Sequence, residues 1–181
     1  MNKKNFSQNC FEELAIRCNE SGVEFHVYCQ DWDEKRYSRL VELDRELRFF
    51  HFHKPVPYEV LLSTIRQYDY GVLPTKVGVE KQRDGELSPL KFEFAGTNKV
   101  FDYVEAGLPF IGATPKRLLS EFIEKGACIP WYIEDYDFDF LRDQVDIMKQ
   151  KVRNIQQEYL MDNQIYRLLD FYDEILNEKE R

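Results

Sequence analysis

The sequence predicts an α/β fold in which a Rossmann-like parallel sheet carries helices on both faces. Two observations support this class. Segments with apolar residues at helical spacing alternate along the chain with short apolar runs of strand length. Several of these runs are continuously apolar, which is typical of strands covered on both faces. Alternation of helices and strands favours a parallel sheet, and we expect the chain to close with two helices.

Composition limits the classes of protein that fit. A chain of 181 residues is expected to form a single domain over 1–181 and can bury about 70% of its unfolded surface. Its net charge of −8 argues against a nucleic-acid partner. The four cysteines form no Cys-x-x-Cys pair and are expected to be reduced and buried, as in a cytoplasmic protein. No apolar run is long enough to span a bilayer, and peripheral contact with the inner face of a membrane is left open.

The first half of the chain alternates regularly between the two element types. The order is a helix over 7–21, a strand over 23–29, a helix over 33–46, a strand over 48–53, a helix over 58–67 and a strand over 68–74. The first helix has an apolar face and ends at Ser21 and Gly22. Pro57 suits the first turn of the third helix. The polar segment over 75–96 is long for a compact domain, which is typical of a functional or mobile loop.

The second half continues the alternation. We predict a helix from 98 to Gly107, a strand over 108–113, a helix over 115–125, a strand over 127–131, and two closing helices over 140–159 and 163–177. In the first of these helices Thr97 or Asn98 is expected to cap the start. Gly107 supplies a left-handed end and Pro109 stops the helix. Because a helix start offers free N–H groups and a positive dipole end, with Lys99 beside it, the sequence predicts an anion site there.

The run at 98–111 reads Asn-Lys-Val-Phe-Asp-Tyr-Val-Glu-Ala-Gly-Leu-Pro-Phe-Ile. It resembles the donor-binding signature of retaining GT-B glycosyltransferases, of the glycosyltransferase group 1 or family 4-like type. A second run, from His53 through the prolines to Leu62, and a third, Tyr-Asp-Tyr-Gly-Val-Leu-Pro at 68–74, resemble the same carboxyl-terminal domain. The resemblance covers nearly the whole chain, but only 98–113 is specific. It implies the domain that binds a nucleotide-diphosphate sugar.

The resemblance also implies roles for individual residues. Thr97, Asn98 and Lys99 would face the donor diphosphate, and Asp102 would bind the ribose, although it is one methylene shorter than the glutamate usual in the family. The wall around the base would comprise His53, Lys54 and Val56.

The loop that faces the donor sugar would include Lys91, Glu93 and Phe94. Many relatives carry a glutamate two helical turns before the ribose-binding acid. Phe94 holds that position here, with Glu93 beside it. Either the alignment shifts by one residue or this branch lacks the contact.

The implied activity is transfer of a hexosyl group to a glycan, a lipid or another acceptor, without a metal or cofactor. The acids at 137–139 have Asp-x-Asp spacing, but a solvated helix cap is the favoured interpretation. His51 and His53 share one strand face, yet no third metal ligand is evident near them, so a core or edge position is favoured over a metal site.

The resemblance further implies that 1–181 lacks two parts of the enzyme. The acceptor-binding domain is expected to be absent, as are the family's first strand and its glycine-containing phosphate loop. A missing domain or a partner subunit would then supply the acceptor and any catalytic group, and the isolated chain would be largely inactive. Two alternatives remain: a non-catalytic nucleotide-sugar-binding or interaction module, and a sugar-nucleotide epimerase on the same fold.

Overall fold

A computed structural model describes residues 6–29, 33–74, 98–112 and 117–179. Helices and short strands alternate through most of this part of the chain, and two long helices follow. The elements are α1 (Phe6–Glu20), β1 (Phe25–Tyr28), α2 (Ser38–Glu46), β2 (Phe50–His53), α3 (Tyr58–Ile65), β3 (Gly71–Val72), α4 (Asn98–Glu105), β4 (Phe110–Ile111), α5 (Arg117–Glu124), β5 (Cys128–Ile129), a 3₁₀ helix (Ile133–Asp135), α6 (Phe138–Tyr159) and α7 (Met161–Lys179).

All strand pairs are parallel, but they form two sheets. β1 pairs with β2, with Phe25 opposite Phe50 and Tyr28 opposite His53. The second sheet has the order β3-β4-β5. The predicted α/β class and the two closing helices are therefore confirmed. The predicted single sheet is not found among the described strands, because β1 and β3 do not pair with each other.

The edge of β1 that faces away from β2 pairs with no other strand of the described part of the chain. The amides of Phe25 and Cys29 donate to carbonyls on the β2 side, at 2.8 and 3.4 Å. Because successive main-chain groups of a strand point to opposite edges, those of His26 and Tyr28 face the other way.

β3 presents a matching edge. Gly71 and Leu73 donate their amides towards β4, each at 2.8 Å, so the main chain of Val72 faces away from β4. There the Val72 carbonyl accepts a hydrogen bond from the Tyr103 hydroxyl at 3.1 Å. A cavity of 2120 Å³ borders both strands. It is lined by all of β1 and both residues of β3, by no residue of β2, and by residues of α1, α3, α4, α5, α6 and α7. We call it the central cavity.

Two main apolar clusters hold the described elements together. The first joins α1 and α2 to the β1–β2 sheet and extends to Ile111 of β4, Ile129 of β5 and Met148 of α6. The second joins α4, α5 and α6 to the β3-β4-β5 sheet. A guanidinium from α1, that of Arg17, also donates to the carbonyls of Ile133 and Tyr136. All four cysteines are buried, as predicted.

Several predicted boundaries differ from those of the structure, and two of the differences have a clear local reason. Helix α2 begins at Ser38 because the Asp33 carboxylate accepts the amides of Lys35 and Arg36 and holds a turn instead. Helix α6 begins two residues earlier than predicted, since Asp137 accepts the Phe140 amide at 3.0 Å and acts as its cap. Strand β3 is only two residues long, against a predicted 68–74.

The last helix has its predicted apolar residues, but they are exposed. Ile165, Leu168, Leu169, Tyr172 and Leu176 are between 40% and 60% exposed. Within the ranges given above, no helix combines the length and the apolar character needed to cross a membrane.

Candidate functional site

The start of α4 is exposed to solvent, and the opposite face of the helix is buried. Asn98 and Lys99 are exposed, whereas Val100 and Val104 on the opposite face are fully buried. Gly107 ends the segment with a φ of 76°, a left-handed conformation that glycine adopts without strain. The apolar face therefore fixes the helix, and the side chains of Asn98 and Lys99 in its first turn face solvent.

Asp102 lies one turn further along α4 and is half-buried. Its Oδ1 accepts a long hydrogen bond of 3.4 Å from the hydroxyl of Tyr58, at the first position of α3. The negative charge of Asp102 raises the pKa of Tyr58, so the phenol stays a donor at neutral pH. Sequence reasoning did not single out Tyr58, although it stands within the run from His53 to Leu62 that was matched to the family.

The central cavity brings together two segments that are distant in sequence. Asn98, Lys99 and Asp102 line it from α4, and Val56 and Tyr58 line it from the β2–α3 connection. Lys99 has no ion-pair partner within the described ranges. Four predicted site residues, Thr97, Lys91, Glu93 and Phe94, lie outside the described residues.

The three residues predicted to form the base wall differ in their position relative to the central cavity. His53 and Lys54 do not line the central cavity, while Val56 does. The His53 ring is held elsewhere: its Nε2 lies 2.9 Å from Nδ1 of His26, and it stacks on Tyr28 with ring centroids 4.5 Å apart. The side chain thus packs along the sheet face instead of turning towards α4.

A cluster of histidines occupies that sheet face. His26 lies directly opposite His51 in the strand register, with ring centroids 4.5 Å apart. Glu24, His26 and His51 each offer a ligand atom within 4.8 Å of the others. The expectation that no third ligand lies near the β2 histidines is therefore wrong. The neighbouring strand supplies one, and the only signal in the sequence was a histidine near the middle of both predicted strands.

Burial lowers the pKa of two of these histidines. Desolvation lowers the pKa of His26, against the opposing effect of its contact with Glu24 at 3.3 Å. Desolvation and the neighbouring histidines also lower the pKa of His53.

No family model, no curated protein and no solved structure matches this chain.

Proposed function

We propose that this chain is the donor-binding half of a retaining GT-B glycosyltransferase and binds a nucleotide-diphosphate sugar. The observation that carries the proposal is the convergence in the central cavity. The exposed start of α4, Asp102 and the β2–α3 connection all line it. The family signature assigns these segments to one ligand.

The donor diphosphate is proposed to rest against the first turn of α4. The free N–H groups of that turn and the positive end of the helix dipole favour an anion. Lys99, exposed on the same turn, adds a full positive charge. During transfer the leaving nucleoside diphosphate gains negative charge, and fixed donors at this place stabilise it.

The nucleoside is proposed to lie between Asp102 and Tyr58. Tyr58 bonds one carboxylate oxygen of Asp102, which orients the group and leaves the second oxygen for a ribose hydroxyl. The Tyr58 ring is 61% exposed and offers an aromatic surface for the base, with Val56 beside it in the cavity wall.

The split sheet supports the finer fold assignment, a Rossmann-like half of a GT-B enzyme. A doubly wound sheet has the strand order 3-2-1-4-5-6. If β1 is strand 2 of that order, the two observed sheets, β2-β1 and β3-β4-β5, correspond to 3-2 and 4-5-6. The described residues leave position 1 open, and the central cavity occupies that place. In this family, that strand carries the phosphate loop.

A buried tyrosine hydroxyl in the cavity wall is consistent with an unoccupied first strand position in the proposed sheet. The hydroxyl of Tyr136 is buried and has no hydrogen-bond partner in the described part of the chain. Tyr136 lines the central cavity. Since buried polar groups are normally paired, a group that enters the cavity would complete it.

In the proposed enzyme the acceptor is a glycan or lipid bound by a further domain or a partner subunit, in the cytoplasm or at the inner face of a membrane. The isolated chain is therefore expected to bind donor and to transfer little. No metal or cofactor is required for this chemistry, because α4 and Lys99 stabilise the leaving group.

The test is calorimetric titration of the full chain with UDP, GDP, CDP and inorganic pyrophosphate. We expect one diphosphate class to bind, and Lys99→Ala to weaken it roughly tenfold or more, the size of a lost charge-assisted hydrogen bond. Asp102→Asn should weaken the nucleotide but not pyrophosphate. Lys35→Ala removes an equally exposed lysine far from the cavity and should change nothing. Absence of nucleotide binding, or equal effects of both lysine variants, contradicts the proposal.

A further inference from the structure

Three side chains with metal-ligating atoms meet at the amino end of β1. Glu24 stands two residues before His26, and β2 places His51 directly across from His26. One ligand atom of each lies within 4.8 Å of the other two. Glu24 and His26 border the central cavity and His51 does not, and none of the three is a proposed donor-binding residue.

The His26 ring has the orientation that a metal-binding histidine usually has. His26 Nδ1 lies 2.9 Å from His53 Nε2, and the angle between the planes of the two rings is 4°. With the proton on Nδ1, His26 donates to His53 and its Nε2 lone pair faces Glu24, 3.3 Å away. Metal-bound histidines are usually oriented in this way, by a hydrogen bond from the second ring nitrogen.

We propose that Glu24, His26 and His51 bind a divalent transition-metal ion, Zn²⁺ above all. Two imidazoles and one carboxylate are ligands that Zn²⁺ accepts, whereas Mg²⁺ and Ca²⁺ prefer oxygen ligands alone. Three protein ligands leave a fourth position for water, and Glu24 and His26 line the central cavity, from which water reaches the ion.

The three ligand atoms lie within 4.8 Å of one another and must approach further to reach bonding geometry. Tetrahedral ligands about 2.1 Å from Zn²⁺ are about 3.4 Å apart. The separation between Glu24 and His26 already meets this value. The Glu24 side chain is 65% exposed and can follow the ion, while the histidines are fixed by their strands.

A bound ion would link Glu24, which precedes β1, to His51 of β2. Because it binds the folded chain and not the unfolded one, saturation with metal raises the melting temperature. This proposal does not depend on nucleotide-sugar binding and survives if that function is disproved.

The experiment titrates the full, chelator-treated chain with Co²⁺, followed by its visible absorption, and with Zn²⁺, followed by calorimetry. We expect one ion per chain, displacement of Co²⁺ by Zn²⁺, and a higher melting temperature with Zn²⁺. Glu24→Gln and His51→Gln should each weaken binding at least tenfold. Glu134→Gln, an exposed glutamate of the 3₁₀ helix, is the matched control and should bind as the wild type does.

His53→Gln tests the orienting role. Loss of such a hydrogen bond weakens metal binding by about 10- to 100-fold without removing a ligand. A side-chain nitrogen NMR spectrum of the unaltered chain gives a readout that does not depend on the folding of variants. The chain has three histidines, and we expect Zn²⁺ to shift His26 and His51 most. No binding, binding that His51→Gln leaves unchanged, or a thiolate absorption band from the cysteines would overturn the proposal.

Discussion

Gly71 is a residue whose identity only the packing explains. The Tyr103 ring lies against it so closely that a Cβ at this position would be 2.5 Å from ring carbons. Tyr103 cannot withdraw easily, because burial surrounds it and its hydroxyl bonds the Val72 carbonyl. The sequence shows a glycine inside a predicted strand, which is a signal for close approach, but it does not identify the neighbour.

We therefore predict that Gly71→Ala destabilises the chain by about 1–3 kcal/mol, the usual cost of overpacking a core. Chemical denaturation followed by circular dichroism measures the change. Ser120→Ala, at an exposed position of α5, is the control and should stay within about 0.5 kcal/mol. Equal stability of Gly71→Ala and the wild type would mean that Tyr103 packs elsewhere.

Glu121 gives a second prediction at the residue scale. The Tyr159 hydroxyl donates to its Oε1 at 2.5 Å, and Lys125 Nζ lies 3.2 Å away. These contacts hold the pKa of Glu121 below its ordinary value of 4.5. Because the folded pKa is the lower one, the stabilisation is present above about pH 4.5 and is lost as the pH falls through the folded pKa.

Glu121→Gln should therefore reduce the free energy of unfolding at neutral pH, and the difference from the wild type should shrink below about pH 4. Urea denaturation across pH measures both curves. Glu20→Gln removes another exposed glutamate, one without an ion pair among the described residues. Its difference from the wild type in the free energy of unfolding should not shrink in the same way at low pH. A difference that stays constant down to pH 3 would show that the contacts do not form in solution.

At the scale of elements, the two apolar helices α5 and α7 differ in a way that periodicity does not reveal. Leu119 of α5 is 1% exposed, whereas Leu168 of α7 is 45% exposed. Both stand on apolar stripes in the sequence. A stripe indicates that a helix can bury a face, but not whether the described chain supplies the surface that covers it.

The prediction is a large contrast between matching substitutions. Leu119→Ala should cost about 2–5 kcal/mol, since it leaves a cavity in the core. Leu168→Ala should cost less than about 0.5 kcal/mol. Thermal and chemical unfolding of both variants measures the contrast, and a large loss for Leu168→Ala would show that α7 is packed in solution.

Most elements could be predicted from sequence because their signals are local. The helix that ends at Gly107 is an example, with its buried valines, glycine end and following proline. The start of α2 could not be predicted, since it depends on which amides the Asp33 carboxylate accepts. The pairing of His26 with His51, and the contact of Tyr58 with Asp102, depend on strand register and helix packing, which no local pattern encodes.

At the scale of the whole molecule, the described chain contains two parallel sheets whose unpaired edges border one cavity. An unpaired edge leaves main-chain groups without strand partners, a situation that proteins usually avoid or cover. Among the described strands, the order is β1-β2 in one sheet and β3-β4-β5 in the other, and our proposal assigns both to one doubly wound sheet. The same cavity borders the start of α4, so the proposed site lies beside the two unpaired sheet edges of the described chain.

Hydrogen exchange tests the open edge. We expect the amides of His26 and Tyr28 to exchange faster than those of Phe25 and Cys29, which donate to the β2 side. Val72 should likewise exchange faster than Gly71 and Leu73. Equal protection along β1 would mean that its outer edge is paired in solution, which contradicts the split sheet.

The most direct measurement of the central claim is an amide NMR titration of the full chain with the nucleoside diphosphate that binds best. The account predicts saturable shifts at Asn98, Lys99 and Asp102, with accompanying shifts at Val56 and Tyr58, and none along α2, which does not line the cavity. Saturable shifts confined to other parts of the chain, or no shift at the start of α4, would contradict it.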